Sequence, residues 1–403
     1  MTSSRDRVMA SLNFQVPDRT PRDMAGMRST SVSAFAYPAL VKALGLPPRR
    51  PRVEDTGQML ALPDLDVLDA LNIDVVTILD GVTNAFDQPE EWHEYNFNGR
   101  LPALVRRPQN FRDLPDGTIF QGNSQMPPSA YVFDELHAGQ PLDFEVERYM
   151  VDLDKLRTDL LNRRLTDERI QSIRSLCKRV RESSDRAVFL NEGSVQLPIG
   201  IASYGGLAVF PVLCVSEPNY VADLHAVFME NTLANMKALL PEIADYFDIL
   251  IIAADDWGTQ ANLIASPKVY NKLFLPYYQQ VNAEVHRHAP QSKTFLHSCG
   301  AIYDILDPVI ESGFDILNPV QWSAGGHSYQ EWKAKANGRI SLWGGGVNAQ
   351  VTLPFGSVED VAREAEAVSQ CLVKDGGYVF CNIHNLLAEV DPQKIIAMYQ
   401  AAG

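Results

Sequence analysis

The sequence predicts a (β/α)8 barrel, and three features support this fold class. Apolar runs of strand length alternate with helix-length segments from about residue 187 onward, which is the pattern of a parallel α/β fold. Several of these runs are apolar throughout, as strands buried on both faces are. Neither a G-x-G-x-x-G fingerprint nor a phosphate-loop motif follows a strand, which favours a barrel over an open doubly wound sheet.

Seven runs are predicted to be strands, and one further strand is needed to complete the barrel. The predicted strands are residues 75–79, 188–191, 249–253, 294–297, 315–318, 340–343 and 378–381. The predicted helices between them include residues 217–240, 266–288, 302–312 and 358–373. We expect the whole chain, residues 1–403, to form a single barrel domain.

Two segments depart from the alternating pattern. Residues 1–70 are predicted to be an N-terminal extension wrapped on the body of the barrel; their first part is rich in arginine and proline. Residues 101–132 are predicted to be a β-hairpin insertion, because Asp116-Gly117 lies between two extended runs and is a strong hairpin signal.

The composition excludes several classes of protein. A formal net charge of −15 is unfavourable for binding nucleic acid or anionic lipid. The sequence contains no apolar run of about 18 residues and no apolar segment near Met1 that is typical of a secretory signal. The five cysteines are an odd number without regular spacing, which indicates free thiols. We therefore expect a soluble, cytoplasmic protein.

A candidate zinc site emerges from the residues that end the predicted strands, because barrel enzymes carry their chemistry at those ends. His297 and Cys299 are two positions apart where one strand ends, and Cys381 ends another. One imidazole and two thiolates suit tetrahedral Zn²⁺ and leave a fourth position open for substrate or water. Alone, the H-x-C pair is a weak signal, because a buried cysteine is more often a small apolar core residue.

Other strand ends carry residues with more than one interpretation. Asp255 and Asp256 can cap the following helix, bind a cationic substrate or orient a ligand. His384 can orient Cys381, contact the substrate or pack in its loop. Arg28 can contact the substrate or be an ordinary surface arginine.

The chain resembles the uroporphyrinogen decarboxylase superfamily, which includes decarboxylases and cobalamin-dependent methyltransferases. Residues 254–260 (ADDWGTQ) resemble its aspartate-tryptophan-glycine strand end, and residues 198–204 (PIGIASY) resemble the segment that bears a substrate-site tyrosine. Residues 376–384 (GGYVFCNIH) resemble its glycine-rich strand and the histidine that follows, with Cys381 in place of the usual asparagine. Residues 23–28 (DMAGMR) depart from the arginine-rich block of the decarboxylases, which argues against a tetrapyrrole substrate.

The resemblance implies the methyltransferase branch, which is recognised by an H-x-C pair and a later cysteine that bind zinc. It implies zinc ligation by His297, Cys299 and Cys381. The other candidate site residues are assigned by strand-end position and resemblance together. The candidate catalytic residues are Asp255, Asp256, Tyr204, Glu192 and His384. The candidate substrate-binding residues are Arg28, Asp80, Trp257 and Gln321.

The predicted function is zinc-dependent transfer of a methyl group from a small methylated substrate to the cobalt of a separate corrinoid protein. A methyl ether is the expected donor, which would make the enzyme an O-demethylase. The chain itself lacks the D-x-H-x-x-G signature of corrinoid domains, so cobalamin is expected on a partner, and a homodimer fits the superfamily. Two alternatives stay open: a metal-free decarboxylase of a carboxylated ring, and a non-catalytic binding barrel.

Overall fold

The computed structural model describes residues 2–134 and 145–403. Its strands are β1 Arg52–Asp55, β2 Leu60–Ala61, β3 Val75–Leu79, β4 Val82–Thr83, β5 His93–Tyr95, β6 Ala103–Val105, β7 Phe111–Asp113, β8 Ile119–Gln121, β9 Ser124–Met126, β10 Ala187–Asn191, β11 Ile249–Ala254, β12 Lys293–His297, β13 Ile316–Asn318, β14 Ser341–Trp343 and β15 Tyr378–Val379. Its α-helices are α1 Ser4–Leu12, α2 Tyr37–Ala43, α3 Leu65–Ala70, α4 Leu153–Leu161, α5 Asp167–Ser183, α6 Gly206–Ser216, α7 Pro218–Ile243, α8 Pro267–Leu273, α9 Leu275–His288, α10 Leu306–Glu311, α11 Tyr329–Ala336, α12 Thr352–Phe355, α13 Val358–Val373 and α14 Pro392–Ala401.

The central sheet confirms the predicted barrel class. Its strands lie in the order β15, β14, β13, β12, β11, β10, β3, and all neighbours in this series are parallel. The short strand β4 pairs antiparallel with β3 at the edge. Each of the seven predicted strands is present, with ends that shift by two residues at most. Helices such as α5, α7, α9 and α13 separate successive strands in the chain.

Residues 21–23 supply the missing eighth wall segment. The Phe380 amide donates to the Pro21 carbonyl at 2.8 Å, and the Asp23 amide donates to the Phe380 carbonyl at 2.8 Å. On the other side, the Asp74 amide donates to the Arg22 carbonyl at 2.8 Å. Part of the predicted extension therefore lies within the barrel wall rather than only on its surface. It satisfies backbone groups of the two sheet edges that would otherwise be buried without partners.

The barrel interior is filled by bulky side chains from alternate positions of the strands. Phe189, Phe295 and Trp343 pack against one another with ring centroids 4.8 to 5.7 Å apart. Cys381 belongs to the same buried cluster. Helix α1 packs against β3, β10 and β15, and Val8 and Leu12 on this helix join the interior cluster.

Two details of the helices differ from the sequence prediction. The helix expected over residues 266–288 is two helices, α8 and α9, with Phe274 at the break. Pro276 lies in the first turn of α9, where its missing N–H costs nothing, but it cannot continue α8. The segment expected as a helix over 302–312 begins as a 3-10 turn at Tyr303 before α10.

The predicted hairpin around Asp116-Gly117 is present. Strands β7 and β8 pair antiparallel across this turn, and β9 extends the pair to a three-stranded sheet. Gly117 has a φ of +90°, a conformation that a side chain would strain. Within the described residues, no helix is long and apolar enough to cross a membrane.

Candidate metal centre

The candidate site lies at the carboxyl ends of the barrel strands. Strand β11 leads into Asp255 and Asp256, β12 ends at His297, and β13 ends at Asn318. The loops after β11 and β12 are in tight contact, because a Cβ on Gly300 would lie 2.1 Å from the Gly258 carbonyl oxygen. This close approach of two glycines brings the side chains of the two loops together.

Three side chains meet as a group that can hold a metal ion: His297, Cys299 and His384. Their ligand atoms all lie within 4.8 Å of one another. The Cys299 sulfur is 3.3 Å from His297 Nε2. His297 is buried, whereas Cys299 and His384 are half-buried at the mouth. Two imidazole nitrogens and one sulfur are donors that zinc prefers.

Neighbouring amides fix which nitrogen of each histidine is free. Asn318 donates through Nδ2 to the Trp343 carbonyl at 2.9 Å, so its Oδ1 faces His297 and accepts from Nδ1 at 2.6 Å. Asn385 likewise accepts from His384 Nδ1 at 2.6 Å while its own Nδ2 donates to Gln58. Both Nε2 atoms therefore carry a lone pair available for a cation, an arrangement typical of metal-binding histidines.

Cys381, expected from the sequence as the third ligand, lies outside this group. Its side chain is fully buried in the barrel interior, where its thiol donates to the Asn382 carbonyl at 3.2 Å. Alternation along the chain places Val379 and Cys381 on the interior side. His384, three residues further on, lies beyond the strand and reaches the mouth. In the structure, the third member of the group with His297 and Cys299 is His384, and zinc ligation by Cys381 stays a prediction.

Burial sets the charge state of these groups when no cation is present. It raises the pKa of the Cys299 thiol, and the nearby carboxylate of Asp256 raises it further. Burial also lowers the pKa of His297, so this imidazole is neutral at pH 7. A thiolate at Cys299 therefore requires a positive charge beside it, which a divalent cation would supply.

Comparison with known proteins identifies the family. A sequence model described as uroporphyrinogen decarboxylase (URO-D) matches residues 143–403, which is more than half of the chain. The chain belongs to the uroporphyrinogen decarboxylase family. Comparison with curated protein sequences gives no match.

Two solved structures align with nearly the whole chain. A methyltransferase from Methanosarcina mazei aligns over 100% of this chain and 98% of its own, with a TM-score of 0.54 and 15% identity. An endo-1,4-beta-mannanase from Rhizomucor miehei aligns over 95% of this chain and 97% of its own, with a TM-score of 0.38 and 8% identity. The similarity to the first of these shows that the two proteins share a barrel fold.

The two aspartates after β11 have different surroundings in this URO-D family member. Asp255 is buried, and its carboxylate accepts the Ile201 amide with both oxygens, at 2.8 and 3.0 Å. Its described contacts thus hold the segment that leads to Tyr204, and burial raises the pKa of Asp255 to about 7. Asp256 is half exposed and accepts the Cys299 amide at 2.8 Å. Neither carboxylate makes a capping bond to α8 among the described contacts.

Glu192 and Tyr204, the other candidate acids, are placed differently. Glu192 pairs with Arg169 at 3.3 Å and accepts from the Ser194 hydroxyl at 2.8 Å, which is a structural role. Tyr204 is half-buried, and burial beside Tyr220 raises its pKa, so its hydroxyl stays protonated at pH 7.

Arg28 does not present a free positive charge to a substrate. It contacts Glu54 at 2.7 Å, Asp80 at 3.4 Å and Asp55 at 3.5 Å. The group of four carries an excess of negative charge. Asp80 also accepts the Gly193 amide, so it ties two strand ends together.

Trp257 and Gln321 both make contacts within the protein, and their roles in substrate binding stay predictions. Trp257 is fully buried and packs edge-on against Tyr270 and Phe274. Gln321 accepts the Gly300 amide at 2.8 Å and thereby supports the loop that carries Cys299.

Three residues of the site were not among the candidates predicted from the sequence: Ser29, Asn318 and Asn385. Ser29 Oγ lies 3.4 Å from His297 Nε2, brought there by the segment that closes the barrel. Its surroundings carry no periodic pattern, so the sequence offers no signal for it. Asn318 could have been found, because it is the polar residue that ends β13.

Proposed function

We propose that this member of the URO-D family is a zinc-dependent methyltransferase that moves a methyl group from a small methylated substrate to the cobalt of a separate corrinoid protein. The supporting observation is the convergence of His297, Cys299 and His384 at the barrel mouth. A barrel that only binds a partner has no need for three zinc-type donors at the site where barrel enzymes place their chemistry.

The donor set fits zinc in type and number. Two imidazoles and one thiolate leave a fourth position, as catalytic zinc sites do. Bound zinc would supply Lewis acidity, which can polarise the heteroatom of a methyl donor or lower the pKa of a thiol acceptor. Asn318 and Asn385 orient the two imidazoles, so that the site is preorganised by neutral hydrogen bonds.

The candidate acids predicted from the sequence suggest how a leaving group could be protonated. Tyr204 keeps its proton at pH 7, and Asp255 positions the segment that carries it. We propose Tyr204 as the proton donor to the oxygen that departs when the methyl group is removed. Glu192 is a weaker candidate, because its carboxylate already contacts Arg169 and Ser194.

A methyl ether is the proposed donor class. Glu54, Asp55 and Asp80 surround Arg28, so this part of the mouth offers no free cation for the carboxylates of a tetrapyrrole. An uncharged ether needs no such cation. The corrinoid is proposed to arrive on a partner protein, and a homodimer is proposed from the family alone.

Zinc content is the first test. Wild-type protein purified without chelators is expected to contain about one zinc per chain by elemental analysis. His297→Ala, Cys299→Ser and His384→Ala are each expected to lose it. Cys371→Ser is the matched control, because Cys371 is a half-buried thiol on α13. A well-folded wild type without zinc would contradict the proposal and return the metal-free decarboxylase and the binding protein to consideration.

Methyl transfer is the second test. The zinc-loaded protein is mixed with reduced corrinoid protein and methoxylated aromatic compounds, and the spectrum of the corrinoid is followed. Formation of methylcobalt that depends on Cys299 would support the proposal. Release of carbon dioxide from a carboxylated ring by the metal-free protein would instead favour the decarboxylase.

A further inference from the structure

The carboxylate of Asp256 lies close to the group formed by His297, Cys299 and His384. Asp256 Oδ1 lies 3.6 Å from His297 Nε2, and the Cys299 sulfur lies 3.3 Å from the same nitrogen. Ligands at ordinary bond lengths on a tetrahedral zinc lie about 3.4 to 3.6 Å apart. Both separations are close to that edge length. Asp256 Oδ1 therefore lies at the distance of a ligand from His297. It is not among the three residues whose ligand atoms all lie within 4.8 Å of one another, so its side chain must turn toward them to bind the same ion.

We propose that Asp256 is the fourth zinc ligand of the resting protein. This inference rests on the proposed zinc site and extends it to the position that substrate must take. Its carboxylate already accepts the Cys299 amide at 2.8 Å, so the loop that carries one ligand also fixes the other. The contact of Gly258 with Gly300 holds the two loops at this separation.

Charge distinguishes Asp256 from the competing oxygen. Ser29 Oγ is 3.4 Å from His297 Nε2 and is also near enough to reach a cation. With two neutral imidazoles and one thiolate, Zn²⁺ keeps a net charge of about +1. A carboxylate neutralises that charge, whereas a neutral hydroxyl does not. Asp256 is therefore the ligand, and Ser29 is placed to donate a hydrogen bond to it or to an incoming substrate.

The exposure of Asp256 explains how the position could open. Its side chain is 52% exposed, against 6% for His297. The side chain can turn toward solvent without vacating a packed position in the core. The substrate heteroatom then takes the fourth position, and the carboxylate remains nearby.

Asp256→Asn is the variant that isolates the charge. The asparagine oxygen can still accept the Cys299 amide, so the loop is preserved while the anionic donor is removed. Zinc affinity is measured by chelator competition, and the site is also loaded with cobalt(II) so that its visible spectrum reports the ligands. The matched control is Asp304→Asn, which removes a carboxylate from the loop after β12. Ser29→Ala tests the competing oxygen.

We expect Asp256→Asn to weaken zinc binding by at least ~10-fold and to alter the cobalt spectrum. Asp304→Asn should leave both unchanged, and Ser29→Ala should have the smaller effect on affinity. Weaker binding with an unchanged spectrum would mean that Asp256 acts through charge alone, which overturns direct ligation. Unchanged affinity would overturn it as well. Failure of the wild type to bind zinc would instead reject the zinc site itself, so the two failures are distinguishable.

Discussion

The two ends of the barrel differ in whether their polar side chains are paired with opposite charges inside the protein. At the amino end, Asp74 pairs with Arg7 and Arg19, both at 2.7 Å. Asp248, at the start of β11, pairs in the same way with Arg5 and Arg181. At the carboxyl end, the Nε2 atoms of His297 and His384 and the sulfur of Cys299 lie within 4.8 Å of one another.

This difference suggests that the amino end of the barrel contributes mainly to stability and that the carboxyl end is available to bind a ligand. At the amino end, Asp74 and Asp248 each have their cations in the protein, so these two networks are satisfied without a ligand. At the carboxyl end, lone pairs converge with no cation among the described side chains between them. Such an arrangement is completed only by something that binds. It follows the general division of barrels into a stabilising end and a catalytic end.

The largest predicted effect is a loss of stability caused by a substitution at the amino end of the barrel. Asp74→Ala leaves Arg7 and Arg19 without their buried partner, so the free energy of unfolding should fall by about 3–5 kcal/mol in urea denaturation. Asp66→Ala is the control, because its pair with Arg49 is partly exposed and should be worth at most about 1 kcal/mol. Zinc bound per folded chain should not change. Similar losses in the two variants would contradict the assignment of the buried network to stability.

A smaller effect concerns Asp23, a buried carboxylate bonded to neutral groups. It accepts from Trp343 Nε1 at 2.9 Å and from the Gly26 amide at 2.7 Å. Burial raises its pKa from 3.8 to about 6. The folded protein therefore holds a proton that the unfolded chain releases, and the free energy of unfolding falls as the pH rises from about 4 to about 6.

The loss from this group should reach ~3 kcal/mol at most. Asp23→Asn should lack this part of the pH dependence, measured by denaturation between pH 4 and pH 7. Asp87→Asn, at a side chain that is 92% exposed, should keep the wild-type slope. A slope that is identical in wild type and Asp23→Asn would show that Asp23 is ionised throughout.

The orientation of His297 offers a third test, at the carboxyl end. Asn318→Leu removes the acceptor for Nδ1, so the imidazole loses the bond that keeps Nε2 free. Zinc affinity should fall about 10- to 100-fold in chelator competition. Asn282→Leu replaces another buried asparagine, one that bonds to Ser312, and should leave zinc affinity unchanged. Equal affinity in both variants would remove Asn318 from the site.

The smallest predicted effect is on zinc binding in Cys381→Ser. Because its thiol points into the barrel interior, the variant should keep about one zinc per chain. Loss of zinc in Cys381→Ser, with retention in His384→Ala, would reverse the structural assignment and restore the ligand set expected from the sequence.

The fold was predictable because its signals are local and repeated. Each of the seven strands is an apolar run, and such a run can be recognised from its own residues without knowing which strands lie beside it in the sheet. Residues 21–23 were not predictable, because three residues that include Pro21 carry no periodicity. Their place is set by the edges of β3 and β15, which are distant in the chain.

The site was predictable in part for the same reason. His297 and Cys299 belong to one strand end, and their spacing puts them together. The third donor depends on which side of the chain faces inward after β15, and the sequence alone does not determine where that alternation ends. Cys381 was predicted from the type of ligand that it offers, whereas His384 is the residue that lies near His297 and Cys299 in the structure.

The pairing of residues 21–23 with Phe380 also determines when the barrel wall can close during translation. The segment leaves the ribosome long before Phe380, one of its two partners, has been made. The wall cannot close while translation is still far from Phe380, and Ser29 cannot settle beside His297 before then. The mouth therefore cannot be complete before His384 has been made, and a shorter nascent chain cannot carry the whole candidate metal site.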